Sequence, residues 1–320
     1  MPPQDPDWST LERLRQGFLA GTAGQQDYWR SARDLAAYDA TFAQRIGWKW
    51  DFVLEDLMAL GWKPPAGPVL DWGCGSGIAA RAFVDHFAVP TSQPIHFHDR
   101  SPVAMDFAVR RARERFPEHA IHAGIPEAPS TVLLSHVLTE LAPERVESLL
   151  AFIEGATSIL WVEPGTFAAS LALIAIRERL RARFHPWAPC PHNHACGILA
   201  PGNESHWCHH FADPPAGVFT DPFWGRFAQF LGIDLRSVPV SYLVLDRRLP
   251  SDPDPRQGTC RRLGRPEVNK VDMRFLGCTA GGVAEMRFAK RSHPDLWRDA
   301  RKDRLASRLR IDGDAAGSSV

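Results

Sequence analysis

Three glycines at alternate positions set the local fold of the chain. Residues 69–83 read VLDWGCGSGIAARAF, in which a short apolar run leads into Asp71 and an amphipathic stretch begins at Ile78. This order predicts a strand, a tight turn and a helix. Glycine adopts positive φ and lets a ligand approach the backbone closely, while a helix start offers unpaired N–H groups. We therefore expect a nucleotide-like ligand at the carboxyl end of a first parallel strand.

The glycine segment is followed by an acidic residue at the distance expected of a residue that binds ribose hydroxyl groups. Asp99 lies about 20 residues beyond the loop, where nucleotide-binding βαβ units hold ribose hydroxyls. The pattern Asp-x-Gly-x-Gly-x-Gly resembles the first motif of class I S-adenosylmethionine-dependent methyltransferases, and a Gly-x-Gly-x-x-Gly dinucleotide loop is not found. A glycine turn without a ligand, in another kind of α/β protein, is the alternative. The predicted cofactor-binding residues are Asp71, Gly73, Cys74, Gly75, Gly77, Asp99, Ser135 and Glu163.

Beyond the loop, apolar strand-like runs alternate with helical periodicity as far as residue 183. Such alternation is typical of a doubly wound parallel sheet. Helical spacing of apolar residues between Leu11 and Leu60 predicts a helical cap before the sheet. The regular pattern then stops from 184 to about 218, and a loop of this length is usually functional or held by something other than its own core. A helix is predicted at 222–231, strands at 238–245, 271–276 and 283–289, and a basic helix at 295–310.

Composition argues against a membrane protein. Hydrophobic residues make up 44% of the chain, but no apolar run approaches the roughly 18 residues of a membrane span. The first residues are acidic and proline-rich, without the features of a secretory signal or a transit peptide. We expect a monomer in the bacterial cytoplasm, or in the mitochondrial matrix if the source is eukaryotic. Six cysteines in such a compartment are thiols or metal ligands before they are disulfides.

The charge is unevenly distributed although the net charge is zero. Residues 247–310 hold 17 Lys and Arg against 8 Asp and Glu. A basic end on an otherwise acidic protein predicts a polyanionic partner such as RNA. A solvated basic surface without a partner is the alternative.

The irregular segment contains three cysteines, Cys190, Cys196 and Cys208, with five histidines between residues 192 and 210. Four thiolates would hold a zinc ion or an iron–sulfur cluster, so a fourth ligand is required. Two of the remaining cysteines have other expected places, because Cys74 lies in the glycine loop beside the cofactor and Cys260 in a basic loop.

Cys278 is the favoured fourth ligand because it ends a predicted strand and precedes a Thr-Ala-Gly-Gly turn, whose backbone permits close approach. The spacing of the cysteines distinguishes a zinc ion from an iron–sulfur cluster only weakly. Zinc sites usually contain two short Cys or His pairs, whereas gaps of five, eleven and many residues suit a [4Fe–4S] cluster. The nearby histidines keep zinc as an alternative, and three reduced cysteines without a metal are the remaining interpretation.

Taken together, these motifs resemble the methyltransferase-like proteins of the mitochondrial small ribosomal subunit and their bacterial relatives. The resemblance extends from about residue 48 to 314. It rests on the glycine loop, on the segments VLTEL and VEPGT, and above all on the cysteine segments CPHNHAC, WCH and FLGC. It implies binding to assembling small subunits and their rRNA. It also implies one [4Fe–4S] cluster with the ligands Cys190, Cys196, Cys208 and Cys278.

Methyl transfer is less clearly marked than cofactor binding. The Asn/Asp-Pro-Pro-aromatic motif of base N-methyltransferases is missing after the fourth strand, where the chain reads SHVLT. Cys190 comes too late for the nucleophile of an RNA cytosine C5-methyltransferase, and His136 is a candidate general base. Two hypotheses follow: an rRNA-binding assembly or translation factor that binds S-adenosylmethionine, and an active RNA methyltransferase. A zinc-stabilised small-molecule methyltransferase is a third.

The predicted fold class is α/β: a doubly wound, Rossmann-like class I methyltransferase sheet with an N-terminal helical cap and a cysteine-rich metal-binding insertion. The predicted boundaries are 1–62 for the helical region, 63–183 for the S-adenosylmethionine-binding core, 184–218 for the Fe–S insertion, 219–294 for the remaining sheet strands with Cys278, and 295–320 for the basic C-terminal helix and tail.

Overall fold

The computed structural model describes residues 7–20 and 28–310, which divide into two compact units. The first unit comprises the chain up to residue 163 together with 212–238, and the second comprises 164–211 and the chain from 239 onward. Nine helices are described: α1 Trp8–Leu19, α2 Ala32–Asp39, α3 Phe42–Ala59, α4 Ile78–Phe87, α5 Pro102–Arg115, α6 Pro143–Ile153, α7 Phe167–Leu180, α8 Pro222–Leu231 and α9 Pro294–Arg301.

Twelve strands are described in the same residues: β1 Val69–Trp72, β2 Ile95–His98, β3 Ile121–Ala123, β4 Thr131–Ser135, β5 Ser158–Pro164, β6 His185–Ala188, β7 His210–Ala212, β8 Val238–Asp246, β9 Thr259–Val268, β10 Asp272–Thr279, β11 Gly282–Ala289 and β12 Arg308–Arg310.

The first unit is built on a parallel sheet in the order β3-β2-β1-β4-β5. This is the strand order of a doubly wound, Rossmann-like fold, in which ligands bind beyond the carboxyl ends of the strands. Strands β1, β4 and β5 are buried on both faces, as expected when helices cover a parallel sheet. The predicted α/β class with a central parallel sheet is confirmed.

The predicted N-terminal helical region consists of α1, α2 and α3, and residues 1–6 and 21–27 lie outside the described part. Aromatic side chains pack these helices against α8 within the first unit. The ring centroids of Phe42 and Phe227 lie 5.4 Å apart, and those of Trp48 and Trp224 lie 5.2 Å apart. The same cluster includes Trp29 and, at its margin, Tyr28 and Tyr38.

The second unit contains a separate antiparallel sheet in the order β11-β10-β9-β12. The prediction that 219–294 carries the remaining sheet strands is therefore wrong in placing β10 and β11 in the first sheet, and β9, which joins them, was not predicted as a strand. The physical reason is the length of the connections, since parallel strands need a crossover of a dozen or more residues. Only residues 280–281 separate β10 from β11, and only 269–271 separate β9 from β10.

The basic C-terminal segment is only partly helical. Helix α9 ends at Arg301, and the predicted continuation to 310 is wrong, because β12 instead pairs with β9 and Leu305 packs into the core beneath this sheet. The segment predicted to be irregular, 184–218, contains β6, β7 and two short 3₁₀ turns. Residues 311–320, which include the predicted tail, lie outside the described part. Among the described helices, none is both long enough and apolar enough to cross a membrane.

Candidate functional site

The glycine loop forms the floor of a cavity in the first unit. Gly73, Gly75 and Gly77 all have positive φ, of 70°, 51° and 77°. A Cβ at Gly73 would lie 2.7 Å from a methyl group of Val137, and one at Gly77 would lie 3.0 Å from Ala108. A Cβ at Gly75, by contrast, would meet no atom within 4 Å. The first and third glycines therefore permit close packing, while the second leaves open space.

Asp99 ties this loop to the end of β2. One carboxylate oxygen accepts a hydrogen bond from the Gly75 N–H at 2.9 Å, and the other accepts one from the Ser101 N–H at 2.9 Å. Burial raises the pKa of Asp99, and these two bonds act in the opposite direction. A carboxylate has about four lone-pair sites, so two remain for ligand hydroxyl groups.

The cavity has a volume of about 350 Å³, within the roughly 300–1,000 Å³ of small-molecule sites. Of the predicted cofactor residues, those that line it are Gly73, Cys74, Gly75, Asp99 and Ser135. Burial raises the pKa of the Cys74 thiol well above its usual value, so this thiol stays protonated and inert.

Asp71, Gly77 and Glu163 do not line the cavity, which differs from their predicted role in cofactor contact. Asp71 is fully buried and accepts a hydrogen bond from Ala80 N at 3.1 Å, so it holds the first turn of α4. Its other carboxylate oxygen has no hydrogen-bond partner among the described residues. Burial raises the pKa of Asp71 to about 7. Asp71 therefore holds the helix that follows the glycine loop.

Glu163 supports the turn that follows β4. One of its carboxylate oxygens accepts hydrogen bonds from the N–H groups of Val137 and Leu138, both at 3.0 Å, and from the Trp161 indole at 2.8 Å. Burial raises the pKa of this carboxyl to about 7 although all three bonds lower it. Ser135, at the end of β4, accepts a hydrogen bond from the Trp50 indole at 3.0 Å.

The wall opposite the glycine loop consists of residues that the sequence analysis missed. Tyr28, Trp29 and Tyr38 line the cavity from the N-terminal region, and Glu140 lines it from the segment after β4. The Tyr28 hydroxyl donates a hydrogen bond to Glu140 at 3.3 Å, and burial raises the pKa of Glu140 to about 7. An aromatic wall with a carboxyl group suits a planar or cationic ligand. No local signal identifies these residues, because the packing of separate chain segments brings them to one cavity.

The second unit brings the four predicted cysteine ligands towards one another. Burial is the largest cause of the raised pKa of Cys208. The charges of Cys190, Cys278 and Cys196 raise this pKa further. Cys196, Cys208 and Cys278 also pack around one small apolar group, Ile174, Ile198 and Leu263. The carbonyl of Cys208 accepts hydrogen bonds from two hydroxyl groups, those of Ser170 at 2.9 Å and Ser241 at 2.8 Å.

Hydrogen-bond donors surround these sulfur atoms. Arg177 donates to the Cys190 sulfur at 3.1 Å and to the backbone carbonyls of His192 and His194. His192 accepts a bond from His194 N on Nδ1, so the proton of its neutral ring lies on Nε2, 3.7 Å from the Cys278 sulfur. Burial lowers the pKa of His192 to about 4. Burial raises the pKa of the Cys196, Cys208 and Cys278 thiols, and the charge of Arg177 acts in the opposite direction on Cys196 and Cys278.

Cys260 lies apart from this group. It is buried in β9, not in the predicted basic loop, and packs with Met273 and Met286 in a different apolar core. Its neighbour Arg261 pairs in register with Cys278, and successive side chains of a strand point to opposite faces. Within residues 7–20 and 28–310, no group of three or more His, Cys, Asp or Glu that could hold a metal ion is found. The predicted metal-binding insertion is therefore not shown.

Comparison with solved structures finds methyltransferases at low sequence identity. The plantazolicin methyltransferase BpumL, solved with SAH, is 13% identical, with 75% of this chain and 100% of that chain covered and a TM-score of 0.37. TrmK of M. capricolum, solved with S-adenosyl-homocysteine, is 8% identical, with 63% and 70% covered and a TM-score of 0.35. Geranyl diphosphate C-methyltransferase from Streptomyces coelicolor is 16% identical, with 62% and 80% covered and a TM-score of 0.32.

Comparison with protein-family models is more specific. Residues 62–308 match one family model, described as Rsm22, mitochondrial small ribosomal subunit. The match spans both the glycine loop and the four grouped cysteines. No curated protein matches the chain.

Proposed function

The chain belongs to the Rsm22 family of the mitochondrial small ribosomal subunit, and we propose that it is a methyltransferase-like assembly or translation factor of that subunit. It binds small-subunit rRNA, carries S-adenosylmethionine at the glycine loop and holds a [4Fe–4S] cluster between four cysteines. It acts as a monomer, in the bacterial cytoplasm or the mitochondrial matrix.

The cavity above Gly75 is the single observation that carries this proposal. The open space at Gly75 admits a ligand against the backbone, and the free lone pairs of Asp99 suit the two hydroxyls of a ribose. The start of α4 lies at the same loop, where N–H groups favour a carboxylate or another polar group. Tyr28 and Tyr38 supply aromatic faces of the kind that attract a sulfonium ion.

The proposed cluster rests on the donor set of the second unit. The charges of Cys190, Cys196 and Cys278 act on the Cys208 thiol, Arg177 donates to the Cys190 sulfur at 3.1 Å, and His192 Nε2 lies 3.7 Å from the Cys278 sulfur. Around one zinc ion, Zn–S bonds of about 2.3 Å place the cysteine sulfurs roughly 3.8 Å apart. In a [4Fe–4S] cluster each thiolate binds a different iron, so the cysteine sulfurs lie farther apart. We propose that these four cysteines would hold the cluster, which when bound would join residues 190–208 to β10. Zinc is the alternative.

The proposed rRNA contact uses the basic part of the second unit. Lys290, Arg291, Arg301, Lys302 and Arg304 are exposed, although several other arginines of residues 247–310 are paired with carboxylates, such as Arg274 with Glu267 and Arg287 with Asp272. Exposed basic side chains bind phosphates without sequence preference, which suits a factor that recognises a folded rRNA.

Sedimentation of cell extracts tests the proposal. Tagged protein should co-sediment with small-subunit particles in a sucrose gradient, crosslink to small-subunit rRNA under ultraviolet light, and leave the particles as salt rises. A protein that stays at the top of the gradient while intact small subunits sediment normally would contradict the function. Active methyl transfer to RNA is the second candidate, and the position of His136 in the cavity favours it.

A further inference from the structure

We propose that Lys49 and His136 form a proton relay at the acceptor end of the cavity, so that the chain transfers a methyl group to a nitrogen of a planar base in small-subunit rRNA. This deepens the second candidate function and rests on the proposed binding of S-adenosylmethionine and rRNA. His136 is the catalytic residue, because it lines the cavity with Gly73, Gly75 and Asp99. Lys49 is a positioning residue, which acts through His136.

The two side chains are in direct contact. Lys49 Nζ lies 3.2 Å from His136 Nε2, and Lys49 is only 7% exposed although it lies on α3, in the core of the first unit. A buried lysine normally has a carboxylate partner, whereas the hydrogen-bond partner of this one is an imidazole. The pairing has no evident value for stability, and it places a second group that exchanges protons in contact with His136, which lines the cavity.

The backbone at His136 is strained. Its φ is +56°, in the left-handed region that a histidine seldom occupies. Three contacts hold it there: His136 N donates to Val162 O at 2.9 Å, Glu163 binds the next two N–H groups, and Trp50 fixes Ser135. Strain of this kind persists only where the surroundings over-determine it, and it concentrates at functional sites.

The electrostatic surroundings suit a proton acceptor. Burial lowers the pKa of Lys49 to about 7; Arg45, on the same helix, lowers it further and Glu163, on β5, raises it. Burial, followed by Lys49 and Arg45, lowers the pKa of His136 well below its usual value. His136 is therefore neutral near pH 7, while Lys49 exchanges between its charged and neutral forms.

These two forms of Lys49 give His136 opposite roles. A charged Lys49 donates to Nε2, which leaves the ring proton on Nδ1 and makes that nitrogen a donor. A neutral Lys49 accepts from Nε2–H, which leaves Nδ1 as the basic nitrogen. The reactive form of the pair is the second one, so methyl transfer should rise with pH through about 7.

The relay takes up the proton that is released when the acceptor nitrogen is methylated. The acceptor nitrogen forms a bond to the donor methyl carbon, the carbon–sulfur bond of the sulfonium breaks, and its electron pair stays on a neutral thioether sulfur. The proton of the acceptor nitrogen passes to His136 Nδ1 as Nε2–H passes its proton to Lys49 Nζ. Lys49 then returns the proton to Nε2, and Nδ1–H releases the substrate's proton to water in the cavity, which restores the starting tautomer of His136. The aromatic wall formed by Tyr28, Trp29 and Tyr38 suits a planar acceptor.

The first test measures transfer from methyl-labelled S-adenosylmethionine to protein-free small-subunit rRNA between pH 6 and pH 9. Wild-type protein should incorporate label at a rate that rises through about pH 7. His136→Asn should lower the rate about 10²- to 10⁴-fold, since asparagine tolerates positive φ and preserves the turn. Lys49→Met should lower the rate and remove the rise with pH, whereas Lys63→Met, at an exposed position, should change neither.

The second readout needs no turnover. Histidine-labelled protein should show by NMR that His136 stays neutral well below the usual histidine pKa of 6.5, and Lys49→Met should raise the pH at which it titrates. Calorimetry with S-adenosylmethionine should give the same affinity for all four proteins within about threefold. If wild-type protein binds both ligands but incorporates no label, or if His136→Asn transfers at the wild-type rate, the relay is wrong and the binding function stands. If S-adenosylmethionine does not bind at all, the relay and the proposed cofactor binding are both wrong.

Discussion

Gly75 donates its backbone N–H to the carboxylate of Asp99 across 2.9 Å, and this bond joins the turn after β1 to the residue after β2. The two residues are 24 positions apart in the chain, yet they form one edge of the same cavity. The geometry of the loop therefore depends on the same acid that we expect to hold the ribose. A change at either residue should affect both ligand binding and loop stability.

Gly75→Val should abolish S-adenosylmethionine binding. Valine is strained at φ +51°, and its side chain would occupy the open space of the cavity. Calorimetry should show at least a tenfold loss of affinity. Gly61→Val is the matched control, since Gly61 also has positive φ and open space at its Cβ but does not line the cavity. The control should lose stability and keep its affinity; equal affinity in both variants would remove the glycine loop as the binding site.

Cys278→Ser should destroy the cluster, and Cys260→Ser should leave it intact. Anaerobically purified wild-type protein should contain about four iron and four sulfide per chain and a brown chromophore. Because metal binding is coupled to folding, the Cys278 variant should also expose residues 190–208 to protease and melt at a lower temperature.

Cys260 controls for the loss of a buried thiol, because it packs in a different core. Loss of iron from the Cys260 variant with retention in the Cys278 variant would overturn the ligand assignment. Stoichiometric zinc without labile sulfide in the wild-type protein would instead identify a zinc site at the same cysteines.

Reversing the charge of Arg301, Lys302 and Arg304 to Glu should weaken rRNA binding and flatten its salt dependence. Each lost phosphate contact lowers the slope of log affinity against log salt by about 0.7–0.9, so three contacts should lower it by about 2. Filter binding across a salt series measures this. The same reversal at Arg30, Arg33 and Lys63, exposed residues of the first unit, should have a smaller effect; an equal effect would mean that net charge alone governs binding.

Asp71→Asn should reduce the loss of stability between pH 5 and pH 8. The folded-state pKa of Asp71 is raised from 3.8 to about 7, so the native state binds a proton that the unfolded state has lost. This contribution to stability is complete below about pH 4 and disappears as pH rises through 7. Asparagine keeps the bond from Ala80 N without ionising.

Denaturant unfolding at the two pH values measures this effect. The decrease in unfolding free energy should be about 2–3 kcal/mol smaller in the variant. Asp106→Asn, at an exposed position on α5, should leave the decrease unchanged. Identical pH dependence in wild-type protein and Asp71→Asn would show that Asp71 does not titrate in this range.

Some features of the site followed from local pattern alone. The alternate glycines between an apolar run and an amphipathic stretch predicted β1, the turn and α4, since φ preferences and helix starts are properties of neighbouring residues. The position of Asp99 followed from the length of one βα unit. Three cysteines also lie in one segment that has neither helical nor strand periodicity. This pattern predicted that Cys190, Cys196 and Cys208 share one metal site.

Tertiary structure decided what sequence spacing leaves open. Whether Cys260 or Cys278 faces the other cysteines depends on the alternation of β9 and on its register with β10, and the sequence did not identify β9 as a strand. Asp71 and Glu163 are carboxylates, the residue type that a ligand hydroxyl group would need. Their side chains instead accept hydrogen bonds from nearby backbone N–H groups and do not line the cavity. Lys49 and His136 are 87 positions apart, and only the packing of α3 onto the end of β4 brings them into contact. Local sequence therefore determined the glycine turn and its strand, because short-range sterics act within a few residues, whereas the chemistry of the cavity wall was decided by long-range packing.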